Sequence, residues 1–126
     1  MYNIPILFLV YNRPDIAATT FKSIAKVKPS VLYIAADGGK DDFDKNLCLQ
    51  TKQKVVSLID WDCEMKFLER DKNLGCKNAV ISAINWFFNK EDRGIIIEDD
   101  CEVSEDFFRF CKEMLEVYKN DEKVMH

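Results

Sequence analysis

The chain has 126 residues, 48% of them hydrophobic and 32% charged, which suits one folded domain and excludes a disordered or fibrous chain. The net charge is −4 and no basic stripe is present, which argues against nucleic acid as the main partner. The only histidine is His126, which excludes a histidine-based metal cluster and makes a Ser-His-Asp triad implausible.

The N-terminal apolar run Ile4 to Val10 reads as a strand buried on both faces. It is too short to span a bilayer, and it lacks the basic start and small-residue cleavage site of a signal peptide. Pro14 and Asp15 suit a helix start, with Ile16, Phe21 and Ile24 on its apolar face to about Val27. Pro29-Ser30 ends that helix. Val31 to Ala36 is a second strand, closed by Asp37-Gly38-Gly39. Asp41 to Ile59 has an acidic first turn and apolar residues at Phe43, Leu47, Val55 and Leu58, as a helix requires. Lys52 and Lys54 belong to its solvated face. Met65 to Leu68 is a third, weaker strand, and Arg70 to Gly75 is a loop. Cys76 to Phe88 is a helix carrying Val80, Ile81 and Ile84, with Trp86, Phe87 and Phe88 expected in the core. Ile95 to Ile97 is a fourth strand. Ser104 caps a last helix through Tyr118, and Lys123 to His126 is expected to begin a further strand.

The order is β-α-β-α-β-α-β-α, which predicts an α/β domain: a mainly parallel sheet with helices on both faces. Five cysteines, Cys48, Cys63, Cys76, Cys101 and Cys111, are odd in number and none are spaced CxxC. They read as reduced thiols, which points to a cytoplasmic location.

In such a sheet, ligands bind beyond the carboxyl ends of the strands. Four polar stretches fall there: Tyr11-Asn12-Arg13-Pro14, Asp37-Gly38-Gly39, Arg70 to Gly75, and Glu98-Asp99-Asp100. Asp37 to Gly39 also fits a plain turn, and Asn73 to Gly75 a turn before a helix. The three adjacent acids are harder to explain as a solvated loop. They repel one another, and a divalent cation relieves the repulsion. Oxygen ligands without histidine suit Mg²⁺ or Mn²⁺.

"PILFLVYNRP", "DGG" and above all "IIIEDDCEVSEDFF" together resemble the GT-A class of nucleotide-sugar glycosyltransferases. The likeness is to the N-acetylglucosaminyltransferase I-like family and its bacterial relatives, whose metal motif reads EDD. It extends over essentially the whole chain and implies a Rossmann-like, nucleotide-diphospho-sugar-binding half. It implies that Asp100 holds Mn²⁺ or Mg²⁺ bridging a diphosphate, that Glu98 and Asp99 contact sugar and ribose hydroxyls, and that Asp37 accepts from uracil. It places Arg13 near the base or phosphates, Tyr11 and Asn12 in the base pocket, Asn73 and Gly75 at nucleotide or sugar, and Lys77 near the phosphates. The implied reaction is transfer from a UDP-sugar to a glycan or other acceptor hydroxyl, with inversion and a carboxylate base.

That base is expected outside these 126 residues, in an acceptor-binding half. The segment alone is therefore expected to be poorly active, with a surface free to self-associate. Three rivals remain. A phosphorelay receiver would place paired acids after the first strand, where this chain has Tyr11-Asn12-Arg13. A sugar nucleotidyltransferase would carry a Gly-rich basic loop there. A non-catalytic nucleotide-binding or scaffold fragment would keep the fold alone.

Overall fold

The computed structural model describes residues 2–120. Four strands and four helices alternate: β1 (Ile6–Val10), α1 (Pro14–Val27), β2 (Val31–Ala36), α2 (Asp42–Ser57), β3 (Glu64–Glu69), α3 (Cys76–Phe88), β4 (Ile95–Glu98) and α4 (Glu105–Asn120). The sheet order is β3-β2-β1-β4 and every pair is parallel. The expected α/β class, with helices on both faces, is what the chain adopts. The further strand expected at Lys123 to His126 lies outside the described residues.

β1 is central and all five of its residues are buried. Ile6, Phe8 and Val10 point to one face, where Ala17, Phe21 and Ile24 of α1, Val55 of α2 and Phe108 of α4 cover them. Leu7 and Leu9 point to the other, covered by Ala83 and Phe87 of α3. Alternation along a strand dictates this division. β1 starts later than Ile4. Pro5 has no N–H to give to a ladder, although its carbonyl accepts from Ile95 N–H at 3.0 Å. Ile4 is still fully buried.

Local signals set the helix ends. Pro14 opens α1, and Lys28 closes it in the left-handed region just before Pro29. The Asp41 side chain caps α2 by accepting from Asp44 N–H at 2.8 Å. Ser104 Oγ caps α4 by accepting from Phe107 N–H at 3.2 Å.

Three apolar expectations change. Phe43 is 75% exposed, because the buried face of α2 runs through Asp44, Thr51 and Val55 instead. Ile16 is exposed on α1. Of the aromatic run on α3 only Phe87 is fully buried; Trp86 is half-buried with its ring edge-on to Tyr33, and Phe88 is exposed although its ring touches Phe87. β3 is longer than expected, since an edge strand can keep Glu64, Lys66 and Glu69 in water. Lys52 and Lys54 do reach solvent, each paired with an acid, Glu69 and Asp15 respectively.

Candidate nucleotide and metal site

The topology picks out one place. From β1 the chain winds outward through β2 and β3, and α3 then carries it back to β4 on the other side of β1. Where strand order reverses, helices leave in opposite directions and a crevice opens beyond the strand ends. In the register Leu9 lies opposite Glu98 and Val10 opposite Ala36. Tyr11, Asp37 and the acids following β4 are therefore brought to one rim.

A cavity of about 320 Å³ opens there. Its wall includes Tyr11, Arg13, Asp37, Asn73, Gly75, Glu98, Asp99 and Asp100, eight of the ten residues singled out from the sequence. Asn12 stands behind the wall, where its amide donates to Asp44 at 2.7 Å. Lys77 is exposed on the first turn of α3 and is not a lining residue.

Three loops are tied together behind the cavity. Asp44 is buried on α2. It accepts from the Tyr11 hydroxyl, the Asn12 amide and, at 2.9 Å, Lys40 N–H. The Tyr11 hydroxyl leads these donors in holding the Asp44 carboxyl below the ordinary carboxylate range, followed by Lys40 N–H and the Asn12 amide. The same phenol is pushed above its ordinary value by burial and by this bond. Asn73 donates to the Tyr11 hydroxyl at 3.0 Å and to Gly38 C=O at 2.8 Å. Asp37 Oδ1 accepts from Gly38 N–H at 2.8 Å and Leu74 N–H at 2.9 Å.

Gly38 is required by this closeness. A Cβ there would lie 2.5 Å from the Lys72 carbonyl carbon and 2.7 Å from the Arg70 carbonyl oxygen, both backbone atoms. Gly38→Ala is expected to destabilise the fold by about 1–3 kcal/mol and push the two loops apart. A urea midpoint equal to wild type would show that the loops separate at no cost.

The acids face Arg13. Its guanidinium donates to Asp99 Oδ1 at 2.6 Å and lies 3.7 Å from Asp100 Oδ2. Asp99 is 5% exposed, and its Oδ2 is buried with no hydrogen-bond partner among the described residues. Burial lifts its carboxyl above the ordinary range; Arg13 opposes that, and Asp100 and Glu98 add to it. Thr20 Oγ1 donates to Asp99 C=O at 2.6 Å and Cys101 C=O at 3.2 Å, pinning the segment to α1.

The cavity wall also carries positive groups. Lys40 and Arg70 line it, and α3 begins there at Gly75 and Cys76, with the positive end of its dipole. Gly75 has φ +84°, which frees the chain to turn into the helix. Arg70 falls in a stretch the sequence placed on this rim, whereas Lys40 and Asp44 were missed. For Asp44 the signal existed: Asp44, Thr51 and Val55 share the spacing of one buried helix face.

The residues that could hold a divalent cation lie at and just after the end of β4. Ligand atoms of Glu98, Asp100 and Cys101 lie within 4.8 Å of one another. Asp99, held by Arg13, lines the same wall as Glu98 and Asp100 but is not one of that group. All five cysteines are unpaired, and no helix among the described residues is long and apolar enough to cross a membrane. No protein-family model, curated protein or solved structure matches this chain.

Proposed function

We propose that this chain is the donor-binding portion of a metal-dependent glycosyltransferase. It would bind a UDP-sugar for transfer, with inversion, to an acceptor hydroxyl. The observation that carries the reading is the gathering of the Tyr11–Arg13, Asp37, Asn73–Gly75 and Glu98–Asp100 stretches around one cavity at the reversal of strand order. The sheet order also bears on the rivals. Phosphorelay receivers use the order 2-1-3, whereas β3-β2-β1-β4 is that of a Rossmann half.

Each residue has a task in this reading. Tyr11, fixed by Asp44, and Asp37 would meet the base. Asn73, Arg70 and the start of α3 would face the ribose or phosphates. Glu98 and Asp99 would accept from sugar or ribose hydroxyls. Asp100 would hold Mn²⁺ or Mg²⁺, which stabilises charge on a departing diphosphate. The acids around it suit a transition state with positive charge at the anomeric carbon.

Calorimetric titration with UDP tests the reading. Mn²⁺ is expected to strengthen binding, and Asp100→Ala to remove at least about 100-fold of the metal-dependent affinity. UDP binding that ignores both Mn²⁺ and Asp100 would contradict the metal role. No UDP binding would contradict the donor site.

A further inference from the structure

We infer that Thr20 is a positioning residue: from α1 it fixes the turn after β4 and so sets where the Glu98 and Asp100 carboxylates stand in the cavity. Its effect on ligand binding rests on the donor-site reading above; its hold on the turn does not.

Ala17, Thr20, Phe21 and Ile24 share the inward face of α1, and all four are buried. The three apolar ones pack in the core. Thr20 is the polar member, 7% exposed, and a buried hydroxyl must find a partner. Its neighbour Thr19 takes the usual course in a helix and donates to Asp15 C=O, one turn back, at 2.9 Å. Thr20 bonds outside its own helix. Its Oγ1 lies 2.6 Å from Asp99 C=O and 3.2 Å from Cys101 C=O, 79 and 81 residues further along the chain. One hydroxyl proton is thus shared between the two carbonyls that flank Asp100.

Two further ties hold the turn. Cys101 N–H donates to Glu98 C=O at 3.1 Å, and the Asp99 side chain takes Arg13. Arg13 is the N-cap of α1. Helix α1 therefore holds the turn at two points, through the Asp99 side chain and through the backbone on either side of Asp100. The Glu98 and Asp100 side chains remain exposed on the cavity wall. Without the Thr20 hydroxyl, both carbonyls lose this donor and the backbone of Asp100 loses its tether to α1. Binding groups must be held within about 0.5 Å of their working geometry, so a loosened turn weakens whatever the two carboxylates hold.

Thr20→Val and Thr20→Ser test the inference. Valine nearly keeps the shape but removes the hydroxyl; serine keeps the hydroxyl. The first readout is amide hydrogen exchange, with Phe8 N–H in the centre of β1 as the measure of general loosening. Relative to Phe8, Cys101 N–H is expected to exchange at least about tenfold faster in Thr20→Val and within about threefold of wild type in Thr20→Ser. The second readout is UDP titration with and without Mn²⁺. The gain in UDP affinity from Mn²⁺ is expected to fall at least about tenfold in Thr20→Val and to return in Thr20→Ser. Metal-free UDP affinity should stay within about threefold of wild type in both. Cys101 exchange that rises no more than that of Phe8, or a Thr20→Ser chain as loose as Thr20→Val, would overturn the hold on the turn. Fast Cys101 exchange with the Mn²⁺ gain intact would overturn the positioning role. A wild-type chain that binds no UDP removes the donor reading instead, and Cys101 exchange then decides whether Thr20 fixes the turn.

Discussion

Arg13→Ala is expected to destabilise the chain by about 2 kcal/mol, whereas Asp99→Asn should lie within about 1 kcal/mol of wild type. Arg13→Ala removes the 2.6 Å contact between the two side chains, whereas Asp99→Asn removes only the charge on one side of it. Their effects differ because Asp99 is buried, while the Arg13 side chain is 46% exposed. Removing the arginine leaves a desolvated carboxylate with no partner; removing the charge leaves an arginine that water can solvate. Water can also partly replace Arg13, which keeps the figure below that for a fully buried pair. Burial already lifts Asp99 above its ordinary 3.8, so the folded chain holds that proton more tightly than the unfolded one. The stability gained from its protonation is complete below 3.8 and is lost as pH rises through the raised folded value. Without Arg13 that value rises further. The Arg13→Ala deficit should therefore be largest at neutral pH and shrink towards about pH 4. Urea denaturation at several pH values measures it. Equal losses for the two variants, or a deficit that grows in acid, would contradict the burial of an ionised Asp99.

Asp44→Ala is expected to lower Tm by about 5–10 °C and to weaken UDP binding more than tenfold, with metal affinity unchanged. It removes the acceptor for three donors at once, from Tyr11, Asn12 and Lys40. Two of these residues belong to the loop after β1, so the Tyr11 ring loses its fixed place in the cavity wall. Asp44→Asn should lie between wild type and Ala, because the amide keeps one acceptor oxygen. The pH dependence has the opposite sign to that of Asp99. The Asp44 carboxyl is held below its ordinary 3.8, so its stabilising contribution is present above 3.8 and is lost as pH falls through the depressed folded value. Asp44→Asn should remove that acid-side loss. Nucleotide and metal affinities that fall together would mean general unfolding and not a misplaced loop.

The sequence made the sheet and the rim readable because both depend on local patterns. Continuous apolar runs mark strands buried on both faces, and polar residues just after them mark the rim, as with Ile95 to Asp100. What stayed hidden depends on neighbours. Phe43 fits an apolar helix position, yet the face of α2 that turns inward carries Asp44. A buried acid reads as an ordinary first-turn acid until the Tyr11 and Asn12 donors are seen beside it. Arg70 was legible as a rim residue but not as a lining one, since strand order is what brings the end of β3 to the same cavity as the ends of β1 and β4. The family resemblance, not a pattern in the residues, placed Lys77 near the phosphates; it stands exposed on the first turn of α3, off the cavity wall.

A nucleotide is proposed to occupy the cavity at the reversal of strand order. Amide NMR of the isotope-labelled chain tests it most directly, with UDP added first and Mn²⁺ second. UDP is expected to shift the amides of Tyr11, Asp37, Asn73 and Gly75. Paramagnetic Mn²⁺ should then broaden those of Glu98 to Cys101 before any others. Shifts confined to other surfaces, or broadening centred away from the turn after β4, would contradict the account.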